Sequence, residues 1–157
     1  YRQHCAWLRD ELDRSGRGPG ALAGPGAVGA PAAFRLALHT GVFAWEDGDA
    51  WELIRDHAWY VSWKYLDMAV SDKRTTPARG PERGPTAAEE AALRAFYCLG
   101  SPDAVAAGMH AYQDAARESF PGADIHFVAR LYLPGLAPAT QREAIRLFSE
   151  KVLPQLR

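Results

Sequence analysis

Cysteine, charge of one sign and long apolar runs are all scarce in this chain, and each scarcity removes a class of protein. The two cysteines, Cys5 and Cys98, lie far apart and match no metal-ligand spacing. Free thiols in a reducing compartment are therefore expected, and with them a cytoplasmic setting. A formal net charge of -1 gives no general bias toward nucleic acid or anionic lipid. No apolar run is long enough to cross a bilayer and no signal peptide is visible, so no membrane partner is expected. His39, His57, His110 and His126 are scattered, without a His-x-x-x-His or Glu-x-x-His pattern on one helix face, which argues against a metal site. No Gly-x-Ser-x-Gly elbow is present. The glycines of residues 18–33 come after no strand and have no Gly-Lys-Ser/Thr ending, so this Gly/Pro/Ala-rich run reads as a connection.

What is there is globular: 157 residues, 48% hydrophobic and 24% charged, enough for a single domain over 1–157 with a real core. Gln3 to Arg14 reads as helix from the outset, through Trp7, Leu8 and Leu12. A chain that begins inside an element at Tyr1 is expected to be a piece of a longer protein. Phe34 to Trp45 predicts a strand, ended by Glu46-Asp-Gly-Asp49, with Asp49 and Glu52 as a capping box. The helix from Ala50 to Met68 carries one stripe of Trp51, Ile54, Ala58, Val61 and Tyr65, and a second of Trp59, Trp63 and Leu66. Core packing is the ordinary use of such stripes. Residues 71–85 are polar, cationic and Pro/Gly-broken. They read as a solvated, mobile insertion in preference to an anion-attracting lid.

Thr86 and Glu89 predict a further capping box. Ser101, Pro102 and Asp103 predict an N-cap, a first helical residue and a favourable charge for a helix with Val105, Met109 and Tyr112 inside. Ile125 to Leu133 predicts a buried strand, stopped by Pro134 and Gly135. A last helix is expected from a Thr140–Glu143 box, with Ile145, Phe148 and Val152 as its apolar face, Leu153 beside them, and Pro154 at its end. The fold class is α/β: two clear strands and a third less defined, each leading into helix.

Gly100-Ser-Pro-Asp-Ala-Val105, Leu133-Pro-Gly135, Ser149-Glu-Lys-Val-Leu-Pro154 and the Val42-Phe-Ala-Trp-Glu-Asp47 strand end, in this order, resemble the carboxyl-terminal half of bacterial luciferase-like flavin-dependent monooxygenases. The resemblance spans roughly 34–157. It implies the C-terminal part of a (β/α)8 TIM barrel lacking the first barrel strands, since such a barrel takes about 250 residues. It also implies reduced FMN, or a deazaflavin, used with oxygen on a small organic substrate, and a flavin reductase and a second copy of the chain as partners. Most flavin contacts in that family come from a segment upstream that these residues do not include.

His39 and His126 fall within the strand candidates and are the catalytic candidates, although a hydrogen-bonded core histidine is the commoner outcome. The resemblance makes Trp59, Tyr60 and Trp63 the cofactor-binding candidates, as an aromatic wall beside the flavin ring. Arg130 and Tyr132, at the end of the last strand, are the substrate-binding candidates, and strand alternation is expected to turn only one of them inward. The alternative reading is a non-catalytic α/β binding or assembly module that completes its sheet with a partner chain.

Overall fold

The computed structural model describes residues 2–15, 35–70 and 80–156. The expected connection at 18–33 and residues 71–79 of the expected insertion lie outside the described residues. Element order is α1 (Arg2–Arg14), β1 (Arg35–Ala44), α2 (Ala50–Val70), α3 (Ala87–Phe96), β2 (Tyr97–Gly100), α4 (Pro102–Ser119), β3 (Asp124–Arg130) and α5 (Pro138–Leu147). A π-helical turn (Phe148–Val152) and a 3-10 turn (Leu153–Leu156) continue the chain after α5.

The chain is mixed α/β, and its three strands form an open sheet in the order β2-β1-β3. β1 and β2 are parallel, with Gly41 opposite Tyr97 and Ala44 opposite Gly100. β3 runs the same way as β1. The first residues of the two strands, Arg35 and Asp124, form an ion pair at 3.6 Å. Toward and beyond their far ends, Phe43 and Leu133 share a core. In a barrel, consecutive strands lie side by side. Here the first strand is central instead, and the chain steps from β1 to one side and then to the other.

Two compact units divide the chain, one of Tyr1–His39 and Ala107–Val128, the other of Thr40–Ala106 and Ala129–Arg157. Each has its own core. In the first, Cys5, Leu36, Leu38, Tyr112, Ala116 and Phe120 are buried together, and Ile125 and Phe127 pack against them. Burial pushes the Cys5 thiol up, away from reactivity. In the second, Phe43, Trp51, Ile54, Ala58, Tyr97, Leu133 and Ala144 form the core.

The local chemistry explains most element boundaries. Thr86 and Glu89 form the expected box: the Thr hydroxyl accepts from Glu89 N at 3.3 Å and the Glu carboxylate accepts from Thr86 N at 2.7 Å. Ser101 Oγ accepts from Ala104 N at 3.3 Å just before Pro102 opens α4, and Val105, Met109 and Tyr112 are buried as predicted. At α2 the box is half formed. Asp49 caps Trp51 N at 2.8 Å, while Glu52 pairs with Arg55.

Three expectations are corrected. First, the Thr140–Glu143 box does not form. α5 starts earlier, at Pro138 after Ala137, because proline favours the first helical position. Glu143 pairs with Arg146 instead. The buried face of this last helix is Gln141, Ala144, Leu147, Phe148 and Val152, whereas Ile145 is exposed. Second, β3 is not a fully buried strand: its residues alternate between exposed and half-buried, as an edge strand with one covered face does. Third, β2 had no strand signal of its own because Tyr97-Cys-Leu-Gly is only four residues long.

Where β1 and β2 meet, a Cβ on Gly41 would come 2.2 Å from the buried Tyr97 ring. Gly41→Ala is therefore expected to destabilise the protein by about 1–3 kcal/mol through overpacking. A lowered urea midpoint with an unchanged slope is the readout, and an unaltered midpoint contradicts the close approach.

Candidate functional site

The chain leaving β3 has no ladder to continue, so its peptide groups need other partners. Gln141, buried in the first turns of α5, supplies them. Its Oε1 accepts from Leu133 N at 3.0 Å, and its Nε2 donates to Leu131 O. Leu133, one of these two anchored residues, is 2% exposed and fixes the turn in the core. Pro134 and Gly135 then reverse the chain, with Gly135 at φ 83. His57 of α2 places Nδ1 3.1 Å from Pro134 O. Residues 130–135 are thus fixed against α2, although no residue of this stretch beyond Arg130 is in a strand.

Between α2 and this turn lies a cleft of about 400 Å³, lined by Tyr60, Val61, Lys64, Tyr65, Met68, Arg130, Tyr132 and Pro134. Spacing of three to four along α2 puts its five lining residues on one side of the helix. The guanidinium of Arg130 donates to Tyr65 Oη at 2.9 Å and lies 5.0 Å over the Tyr65 ring. Lys64 pairs at 3.3 Å with Asp67, which is itself buried and does not line the cleft. Two cations and three tyrosines therefore face the space, with no carboxylate among its described lining residues. The field of Arg130 also reaches Tyr97, whose hydroxyl is pushed up by burial and drawn partly back by that charge.

A second cavity of about 300 Å³ occupies a neighbouring side of α2 and is lined by Trp59, Trp63, Leu66, Glu89 and residues 80–83. Its wall is set by Arg83. The Arg83 carbonyl accepts from Trp59 Nε1 at 3.0 Å, its guanidinium lies 5.8 Å over the Trp59 ring, and both its terminal nitrogens reach Glu89 at 2.7 Å. Arg83 belongs to a stretch whose composition reads as solvated and mobile. It is instead committed to this contact, because a planar guanidinium can serve a ring and a carboxylate together.

Of the residues singled out from the sequence, Tyr60, Arg130 and Tyr132 come together in the first cleft, and Trp59 and Trp63 line the second cavity. Tyr60 and Trp63 touch, ring centroids 5.5 Å apart. Arg130 and Tyr132 both face the cleft, contrary to the expectation of one only, because residues two apart share a side of an extended chain. His39 and His126 line neither cavity. They lie within β1 and β3, toward the amino-terminal parts of these strands, and His126 Nε2 is 2.9 Å from Asp124 Oδ2. Lys64, Tyr65 and Gln141 were missed. The sequence pattern puts Tyr65 in a core stripe, yet it is 56% exposed at the point where α2 outruns the core.

Among the described residues, no group of three His, Cys, Asp or Glu side chains could hold a metal ion, and no helix is long and apolar enough to cross a membrane. No protein-family model and no curated protein matches this chain.

Two predictions arise from this geometry. Gln141→Ala leaves two backbone groups of the turn without partners, so a loss of about 2 kcal/mol or more is expected in urea unfolding. The Glu89 carboxyl is lowered to about 2, first by Arg83 and then by the Thr86 N–H and hydroxyl. Its contribution is therefore complete above the ordinary carboxylate range and is lost as pH falls toward 2. Glu89→Gln is expected to remove that part of the acid-side loss from a urea-midpoint series against pH. A variant series parallel to wild type contradicts the assignment.

Proposed function

We propose that the cleft between α2 and the turn after β3 binds a planar, anionic small molecule, and that this ligand is a flavin mononucleotide in its reduced state or a deazaflavin relative. The observation that carries the reading is the lining itself: Tyr60, Tyr65 and Tyr132 beside Lys64 and Arg130, without a carboxylate among the described lining residues. Tyrosine rings offer faces for a flat heterocycle to stack on. Arg130 has a fork suited to a phosphate oxygen pair, and Lys64 adds a point charge. The position agrees with a general rule. In open α/β sheets, ligands bind outside the carboxyl ends of strands where successive connections leave in opposite directions. The order β2-β1-β3 creates such a point between β1 and β3. The cleft is built from α2, the helix after β1, and from the turn after β3.

The donor set fits the group. Arg130 and Lys64 would hold the phosphate, while Tyr60 and Tyr132 would orient the ring. When bound, a reduced flavin supplies electrons for the reaction of oxygen with a small organic substrate. Tyr60, Tyr65 and Tyr132 are 40%, 56% and 64% exposed, so these walls orient a ligand without closing it off from water. Together with the motifs from Val42 to Pro154, this supports reading the chain as part of a luciferase-like flavin-dependent monooxygenase. The (β/α)8 barrel belongs to that same family reading, in which the remaining flavin contacts come from outside these residues. A flavin reductase would be the supplier of the reduced cofactor.

Equilibrium dialysis of the chain against FMN, oxidised and chemically reduced under nitrogen, tests the proposal. Saturable binding at one site per chain is expected, weakened about tenfold or more by Arg130→Ala through loss of a charge-assisted contact. Tyr60→Ala is expected to weaken it as well. Absence of saturable binding of either form overturns the reading, and so does binding indifferent to both substitutions.

A further inference from the structure

The two methionines of the chain stand in opposite surroundings. Met109 lies on the buried face of α4 and is 1% exposed, whereas Met68, near the end of α2, is 57% exposed. Exposure is not all that marks Met68, because its side chain lines the cleft between α2 and the turn after β3. It follows Lys64 by four positions and Tyr65 by three, so the three side chains share one side of the helix. With Val61 and Pro134 it makes the apolar part of the lining, beside the cations and the tyrosine rings. A thioether is soft, apolar and at most a weak hydrogen-bond acceptor. Among the described lining residues it is also the group that takes up an oxygen atom from a peroxide under mild conditions.

The reading of the cleft as a flavin site, on which this inference rests, supplies the oxidant. Oxygen that takes two electrons from a reduced flavin without meeting substrate ends as hydrogen peroxide, and only a closed site holds such side reactions back. The exposed Tyr60, Tyr65 and Tyr132 leave this cleft open. We propose that Met68 is an oxidation site of the cleft, and that its sulfoxide loosens the hold on the anionic ligand. In this step the thioether sulfur attacks one peroxide oxygen, so that an S–O bond forms as the O–O bond breaks. Sulfur gives up two electrons, and the proton of the transferred oxygen passes to the departing hydroxide, which leaves as water. The new oxygen is an acceptor on the side of α2 that carries Lys64. One ammonium proton of Lys64 serves Asp67 at 3.3 Å, and the half-exposed side chain has two more to offer the sulfoxide four positions on. A Lys64 engaged by its own helix attracts a phosphate less, and an apolar wall has become polar. Arg130 keeps its place on Tyr65, so binding weakens without vanishing.

Timed exposure of the 157-residue chain to hydrogen peroxide, followed by peptide mass mapping, tests the first half. Met68 is expected to gain one oxygen atom at least about tenfold faster than Met109, and equal rates overturn the proposal. Equilibrium dialysis against FMN then compares the chain before and after that treatment. Binding is expected to weaken about fivefold, and a methionine sulfoxide reductase is expected to restore it. Met68→Leu, which keeps the volume but has no sulfur, is expected to bind equally before and after peroxide. An oxidised wild-type chain that binds FMN as tightly as before overturns the proposal, and so does a peroxide effect of the same size in Met68→Leu. Failure of the flavin reading looks different: the untreated chain then binds no FMN, and this inference falls with it even where Met68 is oxidised first.

Discussion

Leu131 and Leu133 lie just past the end of β3, where the chain must abandon the sheet and yet keep its peptide groups satisfied. A single side chain resolves this. Gln141 accepts from the Leu133 N–H and donates to the Leu131 carbonyl from within the first turns of α5. An amide is suited to the task because it presents a donor and an acceptor side by side. With Leu133 buried and Pro134 O held by His57, the turn becomes as fixed as an element of secondary structure. Tyr132 and Arg130 face the cleft because of this clamp.

A similar division of labour governs α2. Its first turns bury Trp51, Ile54 and Ala58 in the core of the second unit, and Trp51 Nε1 donates to Glu90 at 2.8 Å. After Ala58 the helix keeps Val61 packed against this core while the aromatic pattern continues, so its later rings meet something else. On one side Trp59 and Trp63 meet Arg83 and the segment before α3, and on another Tyr60 and Tyr65 meet the turn after β3. One helix therefore contributes to a core and to two cavities, depending on which turn is considered. The ends of the last turns are tied similarly, by Lys151 to Glu46 at 2.6 Å and by Gln155 to Asp103 at 3.0 Å.

Arg83, Lys64 and Arg130 share a further feature: each cation rests over an aromatic ring of α2. Stacking holds a guanidinium or ammonium in place without neutralising it. Arg83 is committed to Glu89 in addition, which leaves its cavity a structural joint. Arg130 has a phenol as its polar partner in the cleft, so its charge still acts on the space it faces. That difference favours the cleft over the second cavity as the proposed binding site for an anion.

By itself the sequence determined those features in which cause and effect are a few residues apart. Thr86 with Glu89, Ser101 with Pro102, and the periodic Val105, Met109 and Tyr112 each act within one or two helical turns, so they could be read directly. The β1 and β3 strands were legible from their β-branched and aromatic content. Strand order was not, because nothing local to β3 specifies whether β1 or β2 lies beside it. Nor was β2, whose four residues acquire strand geometry through pairing with Gly41 to Ala44. At the site, Tyr60, Arg130 and Tyr132 were legible as residue types at promising places, whereas Lys64, Tyr65 and Gln141 were not. Tyr65 takes its role from Arg130, 65 positions away, and Gln141 from peptide groups eight and ten positions away. Lys64 faces a cavity that exists only once those partners meet. Local hydrogen bonding and periodicity are properties of sequence, but the meeting of α2 with the turn after β3 is a property of the packed chain, and the tertiary structure alone decided it.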